Sequence, residues 1–264
     1  MGDELKGRAL AAEAASRAKP GTPAARIVAD VADVAADVEF RGFSKQTIVF
    51  FRRLAKNNDR AWFEAHRDVY EAEVMVPART FITALGARLK TVLPKINAIP
   101  KVNKSIFRIA RDTRFSLDPT PYKPNLGLYF WEGAGGRMEG SGMYFHLEPP
   151  DLMLGGGMYL FPDKKLVRYR KAVVDRKLGP ELAAIVRDMA KVPGLDLGGK
   201  HYKRIPAGFE AGHPNAPLLL HNGLYAGVEM PIPEEFYSPS LVEYCFERFK
   251  LILPLHKWLV KALG

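Results

Sequence analysis

The chain has 264 residues, of which 47% are apolar and 11% aromatic, enough for a sizeable core and too many for general disorder. Its formal net charge is +10, from 39 Lys and Arg against 29 Asp and Glu, which favours anionic partners. A single cysteine excludes an intrachain disulfide and a cysteine-based zinc site, and no apolar run is long enough for a membrane span.

The first 39 residues differ in composition from the rest. They are rich in Ala and hold seven Asp and Glu against five Lys and Arg, so the positive charge belongs to the remainder of the chain. We predict that residues 1–39 form an appended arm, either helical or disordered, and that residues 40–264 form a single domain. The arm lacks the apolar stretch of a secretory signal, so we expect a cytoplasmic protein with no membrane partner.

The apolar periodicity changes twice along residues 40–264. Ser44 has the position of a helix N-cap, and apolar residues at helical spacing continue to about residue 90. From about residue 104 to 161, short aromatic runs separated by Gly and Pro predict strands, with a hairpin loop at 133–142. A basic helix at 164–177, a second helix, a mostly irregular stretch at 193–217, a short strand and a terminal helix follow. This order predicts an α+β fold, with a central antiparallel or mixed sheet flanked by N-terminal and C-terminal helices.

The segment 101–123 has an imbalance of charge, with six Lys and Arg against two Asp. Guanidinium groups bind phosphate and carboxylate in a planar fork and keep their charge when partly buried. We therefore predict an anionic small molecule as ligand. The arginines would clamp it, the aspartates would orient the arginines, and a tyrosine would donate a hydrogen bond. The candidate ligand-binding residues are Arg108, Arg111, Asp112, Arg114, Asp118, Tyr122 and Lys123.

The local pattern leaves a second interpretation of this segment open. If residues 105–110 form a strand, Phe107 and Ile109 face the core and Arg108 faces away from it. The charged residues could then form an internal ion-pair network that braces a long loop without contacting any ligand.

Two further functions are considered from the sequence. His146 and Glu148 lie two residues apart on a predicted strand, so they share a face. They could act as acid and base, bind a metal as ligands, or form a half-buried structural pair. A hydrolase or transferase would combine Asp112 or Asp118 with His146 or Tyr122. The third hypothesis is nucleic-acid binding through the basic helix at 164–177, with the rings of Tyr159 and Tyr169 nearby.

Other motifs indicate no cofactor. The triplet Gly155–Gly157 is not followed by the Lys-Ser or Lys-Thr of a phosphate-binding loop, and close backbone approach or a tight bend between strands is its expected role. If the triplet lies beside the arginines, its backbone N–H groups could also bind an anion. His201, His213 and His221 lack metal-ligand spacing, and no dinucleotide fingerprint is present. We therefore predict neither a metal nor a cofactor, and the sequence predicts neither the reaction nor the oligomeric state.

The charged segment also carries a family motif, Arg-x-x-Arg-Asp-x-Arg-Phe followed by Asp and Tyr. The residues that fit it are Arg108, Arg111, Asp112, Arg114, Phe115, Asp118 and Tyr122. In these the chain resembles a bacterial family known as domain of unknown function number twenty-four sixty-one. The lysine that the family has after the aspartate is Pro119 here, with Lys123 close by. Ordered matches such as Asn57-Asn58 and Gly155–Gly157 extend over about residues 43–262, and the resemblance implies no defined activity.

Overall fold

The computed structural model describes residues 39–112, 114 and 118–264. All but the last residue of the predicted arm, and Phe115 of the motif, lie outside the described residues. The boundary at residue 40 therefore stays a prediction.

The N-terminal helices begin where the sequence predicts. Their bounds are α1 Lys45–Lys56, α2 Arg60–Ala65, α3 Arg67–Tyr70, a π-helical turn Glu71–Met75 and α4 Val76–Lys90. The Ser44 hydroxyl accepts hydrogen bonds from the backbone N–H groups of Gln46 and Thr47, which confirms it as the N-cap of α1. Asp59 caps α2 by accepting a hydrogen bond of 2.8 Å from the Trp62 N–H.

The centre of the fold is a six-stranded antiparallel sheet. Its strands are β1 Ile96–Asn97, β2 Leu126–Glu132, β3 Gly142–Glu148, β4 Asp151–Met158, β5 Asp196–Lys200 and β6 His221–Pro231, in the spatial order β1-β2-β3-β4-β6-β5. The α+β prediction is confirmed, and the sheet is antiparallel rather than mixed. β5 lies in the stretch predicted to be irregular. Its sequence DLGGK offers little β propensity, so pairing with β6 decides its conformation.

Three helices complete the fold: α5 Asp163–Val174, α6 Leu178–Met189 and α7 Leu241–Leu263. Two short 3₁₀ turns, Ala216–Leu220 and Glu234–Tyr237, flank β6. Within the part of the chain that the structure describes, no helix combines the length and the apolarity needed to cross a membrane.

The two faces of the sheet have different surroundings. On β3 the residues Met143, Phe145 and Leu147 alternate with Tyr144, His146 and Glu148, and the first three are fully buried. The buried face packs against α4 and α7. The ring centroids of Phe81 in α4 and Phe145 in β3 are 5.1 Å apart. We call the opposite face, with Tyr144, His146 and Glu148, the outer face. The segment 105–123 approaches the sheet on this side, because Phe107 packs edge-on against Tyr144.

The glycine triplet lies inside β4, which pairs with β3 on one side and β6 on the other. Its backbone groups belong to the ladders, so the triplet does not form an anion-binding loop. A Cβ atom on Gly156 would lie 2.8 Å from the Met143 Sδ and 3.0 Å from the Ile252 Cγ2. Gly156 therefore has the predicted role: because it has no side chain, α7 can pack closely against the sheet.

We expect Gly156→Ala to lower the free energy of unfolding by about 1–3 kcal/mol, because an added methyl group overpacks the contact between α7 and the sheet. Urea denaturation followed by circular dichroism measures this change. Gly212→Ala is the matched control, since no atom lies within 4 Å of its added Cβ. Equal stability of the two variants would contradict the close-approach explanation.

Candidate functional site

The segment 105–110 joins the edge of the sheet through single bridges rather than as a regular strand. Ile106 bridges to Leu128, and the Phe107 N–H donates to the Gly127 carbonyl at 3.0 Å. Ile106 is fully buried and Ile109 packs at the margin of the core, whereas Phe107 packs against the outer face. The expectation that Phe107 faces the core is therefore wrong, because the bridge to β2 sets the other alternation.

Asn58 fixes the far end of the segment to the turn between α1 and α2. Its side-chain amide donates to the Tyr122 carbonyl at 2.9 Å and accepts from the Tyr122 N–H at 3.0 Å. The Tyr122 ring stacks on Phe63 with 4.2 Å between centroids. Tyr122 thus uses its ring and backbone to hold the segment on the helices.

Asp112 is the acceptor for two arginines. Its oxygens accept two hydrogen bonds from the Arg114 guanidinium, at 3.0 Å from Nε and 2.7 Å from Nη2, and one of 3.3 Å from the Arg114 backbone N–H. The Arg108 Nη2 lies at 3.8 Å. The Asp112 side chain is only 7% exposed. Hydrogen bonding from Arg114, with Arg108 as a weaker cause, lowers the pKa of Asp112 to about 2. The aspartate is therefore held as an anion, largely committed to Arg114.

Arg111 and Asp118 form the second ion pair of the segment. The Arg111 Nη1 lies 3.2 Å from the Asp118 Oδ2, and the other oxygen of Asp118 accepts from the Thr120 N–H and hydroxyl. These Thr120 bonds, more than Arg111, lower the pKa of Asp118. The Arg111 Nε is buried and has no hydrogen-bond partner among the described residues.

Lys123 is a partly buried cation whose charge no bonded acceptor compensates among the described residues. Its side chain is more than half buried, and among the described residues no acceptor makes a hydrogen bond or ion pair with its Nζ. Burial, followed by repulsion from Arg108, Arg111 and Arg137, lowers its pKa to about 8, and Asp112 opposes this only in part. We call Arg108, Arg111, Lys123 and Arg137 the cation cluster.

Arg137 was missed by the sequence analysis, because it belongs to the loop between β2 and β3. Its Nη1 donates to the carbonyls of Lys104 and Ile106 at 3.0 and 3.1 Å, and its guanidinium carbon lies 4.0 Å from the Phe107 ring centroid. Burial lowers its pKa, and Arg108 adds to that effect. The available signal was a lone arginine in the otherwise Gly-rich loop of a hairpin next to the charged segment.

His146 is bound on both ring nitrogens by its own strand. The Tyr144 hydroxyl lies 2.9 Å from Nδ1 and the Glu148 Oε2 lies 3.2 Å from Nε2. The predicted pair of His146 and Glu148 is thus brought together. The proposed partnership of His146 with Asp112 or Asp118 is not, because Tyr144, which the sequence analysis did not select, occupies Nδ1.

A second histidine network has the residue types of a hydrolase triad. The Ser141 hydroxyl lies 2.9 Å from the His256 Nδ1, and the His256 Nε2 lies 2.9 Å from the Glu132 Oε2. Ser141 is 3% exposed and His256 is 0% exposed. A nucleophile must contact its substrate, so this network serves to tie the β2–β3 hairpin to α7 instead.

Of the two aromatic rings predicted near the basic helix α5, Tyr159 is half-buried against Tyr225, and Tyr169 lies on the helix itself. Tyr169 is fully buried and donates to the Leu218 carbonyl at 2.9 Å, so no base can stack on it. Arg168 donates to the carbonyls of Leu263 and Gly264 at the C-terminus. Lys164 remains exposed on the helix.

Two other features bear on ligand binding. An open groove of about 410 Å³ is lined by α1 residues such as Lys45, Val49 and Arg52 and by Pro231 and Ile232, at and just after the end of β6. No predicted site residue lines it. Over the described ranges, no group of three His, Cys, Asp or Glu residues is arranged to hold a metal ion.

We expect Asn58→Ala to lower the free energy of unfolding by about 1–3 kcal/mol, since it removes two partly buried hydrogen bonds to Tyr122. Chemical denaturation measures the loss. Asn57→Ala is the neighbouring control, because the Asn57 amide bonds only to the exposed end of α1. If the two variants lost the same stability, Asn58 would not be the anchor of the charged segment.

The chain matches one protein-family model over most of its length. Residues 46–258 match the model of the family DUF2461, described as conserved hypothetical protein. A comparison with curated proteins finds no match. The matched range runs from α1 into α7 and includes the charged segment, Arg137 and the outer-face residues of β3. Since it covers most of the 264 residues, the chain belongs to the DUF2461 family of conserved hypothetical proteins.

Proposed function

We propose that the protein binds an anionic small molecule, bearing a phosphate or carboxylate, at Lys123 within the cation cluster. The observation that carries this proposal is a more than half-buried lysine that lies near enough to three arginines for each to lower its pKa, with no carboxylate bonded to its Nζ among the described residues. Like charges in a partly buried site repel one another, and an anion placed among them removes that repulsion.

The charges of the neighbourhood support an external counterion. Asp112 accepts two hydrogen bonds from the Arg114 guanidinium and one from its backbone N–H, and Asp118 is bonded to Arg111 and Thr120. This leaves Lys123 and Arg137 without a bonded carboxylate among the described residues, and Arg108 with a distant one. The internal ion pairs of the segment use both of its aspartates, and no further acid of the segment remains for Lys123 or Arg137.

The cluster is also held in position before any ligand binds. Two backbone carbonyls and the Phe107 ring fix the guanidinium of Arg137, and Asp118 fixes Arg111. Cations that are already oriented lose little conformational freedom on binding, which favours affinity. Within the original set, Tyr122 is an anchor and Arg114 orients Asp112, so we assign the ligand to Arg108, Arg111, Lys123 and Arg137.

The two other hypotheses receive less support. An enzyme that uses His146 with Asp112 or Asp118 would need a free ring nitrogen, and both are occupied. Nucleic-acid binding through residues 164–177 lacks an exposed aromatic ring at Tyr169. Anion binding is the function that the arrangement of charges favours.

We predict that sulfate raises the melting temperature of the wild type and that Lys123→Gln abolishes this shift. Sulfate is a suitable probe because its charge is constant between pH 6 and 10. At a concentration 100 times its dissociation constant, a ligand adds about 2.7 kcal/mol to the free energy of unfolding. Differential scanning fluorimetry measures the shift. Lys101→Gln is the control, since it removes the same charge from an exposed position in the same segment. A wild type insensitive to sulfate, or variants that respond alike, would overturn the proposal.

We predict that sulfate affinity falls as the pH rises through about 8, the pKa of Lys123. The folded-state pKa lies below the ordinary value of 10.5, so the folded protein binds fewer protons than the unfolded chain. Without sulfate, stability should therefore increase between about pH 8 and 10.5, because Lys123 loses its charge there. Calorimetric titration from pH 7 to 9.5 measures the affinity. Lys123→Arg should bind with a flat profile, and a profile equal to that of the wild type would exclude Lys123 as the titrating group.

A further inference from the structure

Three side chains on the outer face of β3 form a continuous hydrogen-bonded chain. The Tyr144 hydroxyl is bonded to the His146 Nδ1, and the His146 Nε2 is bonded to the Glu148 carboxylate, at 2.9 and 3.2 Å. Of the two neutral tautomers, only the one with its proton on Nε2 gives every bond a donor: the phenol donates to Nδ1 and Nε2–H donates to Glu148. A hydroxyl bonded to a base that is oriented by a carboxylate is the arrangement that activates hydroxyl groups.

Along this hydrogen-bonded chain, solvent exposure increases from Tyr144 to Glu148. The Tyr144 phenol is desolvated, and this burial raises its pKa, with Glu148 adding to the effect. The His146 side chain is 13% exposed and the Glu148 side chain is 31% exposed. The hydrogen-bonded groups therefore run from the buried Tyr144 phenol to the partly exposed Glu148 carboxylate. A path that carries a proton to solvent requires such an arrangement.

The phenol end of the chain lies beside the cation cluster. A Cβ atom on Gly127, in the neighbouring strand β2, would lie 2.9 Å from the Tyr144 Oη and 3.2 Å from the Phe107 Cδ2. The missing side chain at Gly127 thus makes the space in which the phenol and the Phe107 ring meet. Arg137 lies over that same ring, and Arg137 and Tyr144 are close enough to influence each other's pKa.

We propose that Tyr144 is the acid–base residue for the anion bound at the cation cluster, and that His146 and Glu148 relay its proton to solvent; this rests on the proposed anion binding. The ligand is then a phosphate or carboxylate that carries an ionisable O–H or C–H next to its charged group. In the forward step the Tyr144 proton moves to Nδ1 as the Nε2 proton moves to Glu148. The phenolate oxygen takes the proton of the ligand, whose bonding electron pair stays on the ligand.

The neighbouring arginine assists this step. When the phenol loses its proton, the negative charge develops beside the Arg137 guanidinium, which Lys104 and Ile106 hold in place through their carbonyls. A cation oriented in advance stabilises such a charge without reorganisation. The same guanidinium would therefore bind the ligand and lower the cost of forming the phenolate.

The relay is tested with a reagent for activated phenols, 4-(fluorosulfonyl)benzoate, whose carboxylate can occupy the cation cluster. The Tyr144 oxygen forms a bond to sulfur, the S–F bond breaks, fluoride leaves to solvent and the phenol proton passes to His146. Peptide mapping by mass spectrometry locates the modified residue. We expect Tyr144 to be modified in the wild type, sulfate to protect it, and Tyr144→Phe to lose the modification.

His146→Gln separates a proton relay from simple packing, because glutamine can form hydrogen bonds but cannot take up the proton. We expect it to slow the modification of Tyr144 by about 100-fold or more, the usual contribution of a general base, while the sulfate-induced melting shift is retained. His201→Gln, at an exposed position, is the control and should react as the wild type does.

The outcomes distinguish the two proposals. If sulfate binds but Tyr144 stays unmodified, or reacts equally fast in His146→Gln, the relay is overturned and anion binding stands. If sulfate neither stabilises nor protects, the anion site fails, and the uncharged reagent phenylmethanesulfonyl fluoride still tests the phenol. Modification of Lys123 alone would count against the relay.

Discussion

The repulsion among cations around Lys123 is the constraint on which the functional interpretation depends. Burial first, and repulsion from three arginines second, destabilise the charged form of Lys123 and lower its pKa to about 8. A fold keeps such an arrangement only if other contacts hold it together. Here those contacts are Asn58 with the Tyr122 backbone, and Arg137 with two carbonyls. Perturbed groups held in this way are more frequent at functional sites than elsewhere.

Gly127 connects this charged cluster to the chemistry of the sheet. On an antiparallel strand with its neighbours on both sides, a side chain at this position would fill the space between Phe107 and Tyr144. Its absence lets the edge segment lean over β2 and contact β3 directly. The consequence is that charges from one part of the sequence and a hydrogen-bonded chain from another lie against the same aromatic ring, Phe107.

The sequence predicted those parts of the fold that repeat a simple pattern. Helical spacing and the N-cap at Ser44 located α1, and aromatic runs between glycines located β2, β3 and β4. It could not predict β5, because DLGGK has the composition of a loop and becomes a strand only through its partner β6. Nor could it predict that Phe107 faces outward, since the alternation of an edge segment depends on which residue bridges to the sheet.

The candidate site likewise has residues that the sequence predicted and residues that it could not predict. Charge counting along the sequence located Arg108, Arg111 and Lys123, since these are close in the chain and share one imbalance. Arg137 and Tyr144 come from other elements and reach the cluster only through the hairpin and the register of β2 with β3. Local counting also could not predict that the Arg114 guanidinium donates two hydrogen bonds to Asp112, because these are visible only in three dimensions.

Two histidines in this protein have similar hydrogen-bond partners but different surroundings. The bonded partners alone therefore do not assign a function to either. His256 lies between Ser141 and Glu132, and His146 lies between Tyr144 and Glu148, in both cases with a hydroxyl on Nδ1 and a carboxylate on Nε2. Burial lowers the pKa of His256, which favours its neutral form and a structural role in joining the hairpin to α7. The His146 chain instead runs from a phenol beside the cations to a carboxylate in contact with solvent. Exchange of protons with a ligand needs both of those ends, so only the outer-face histidine meets the requirement.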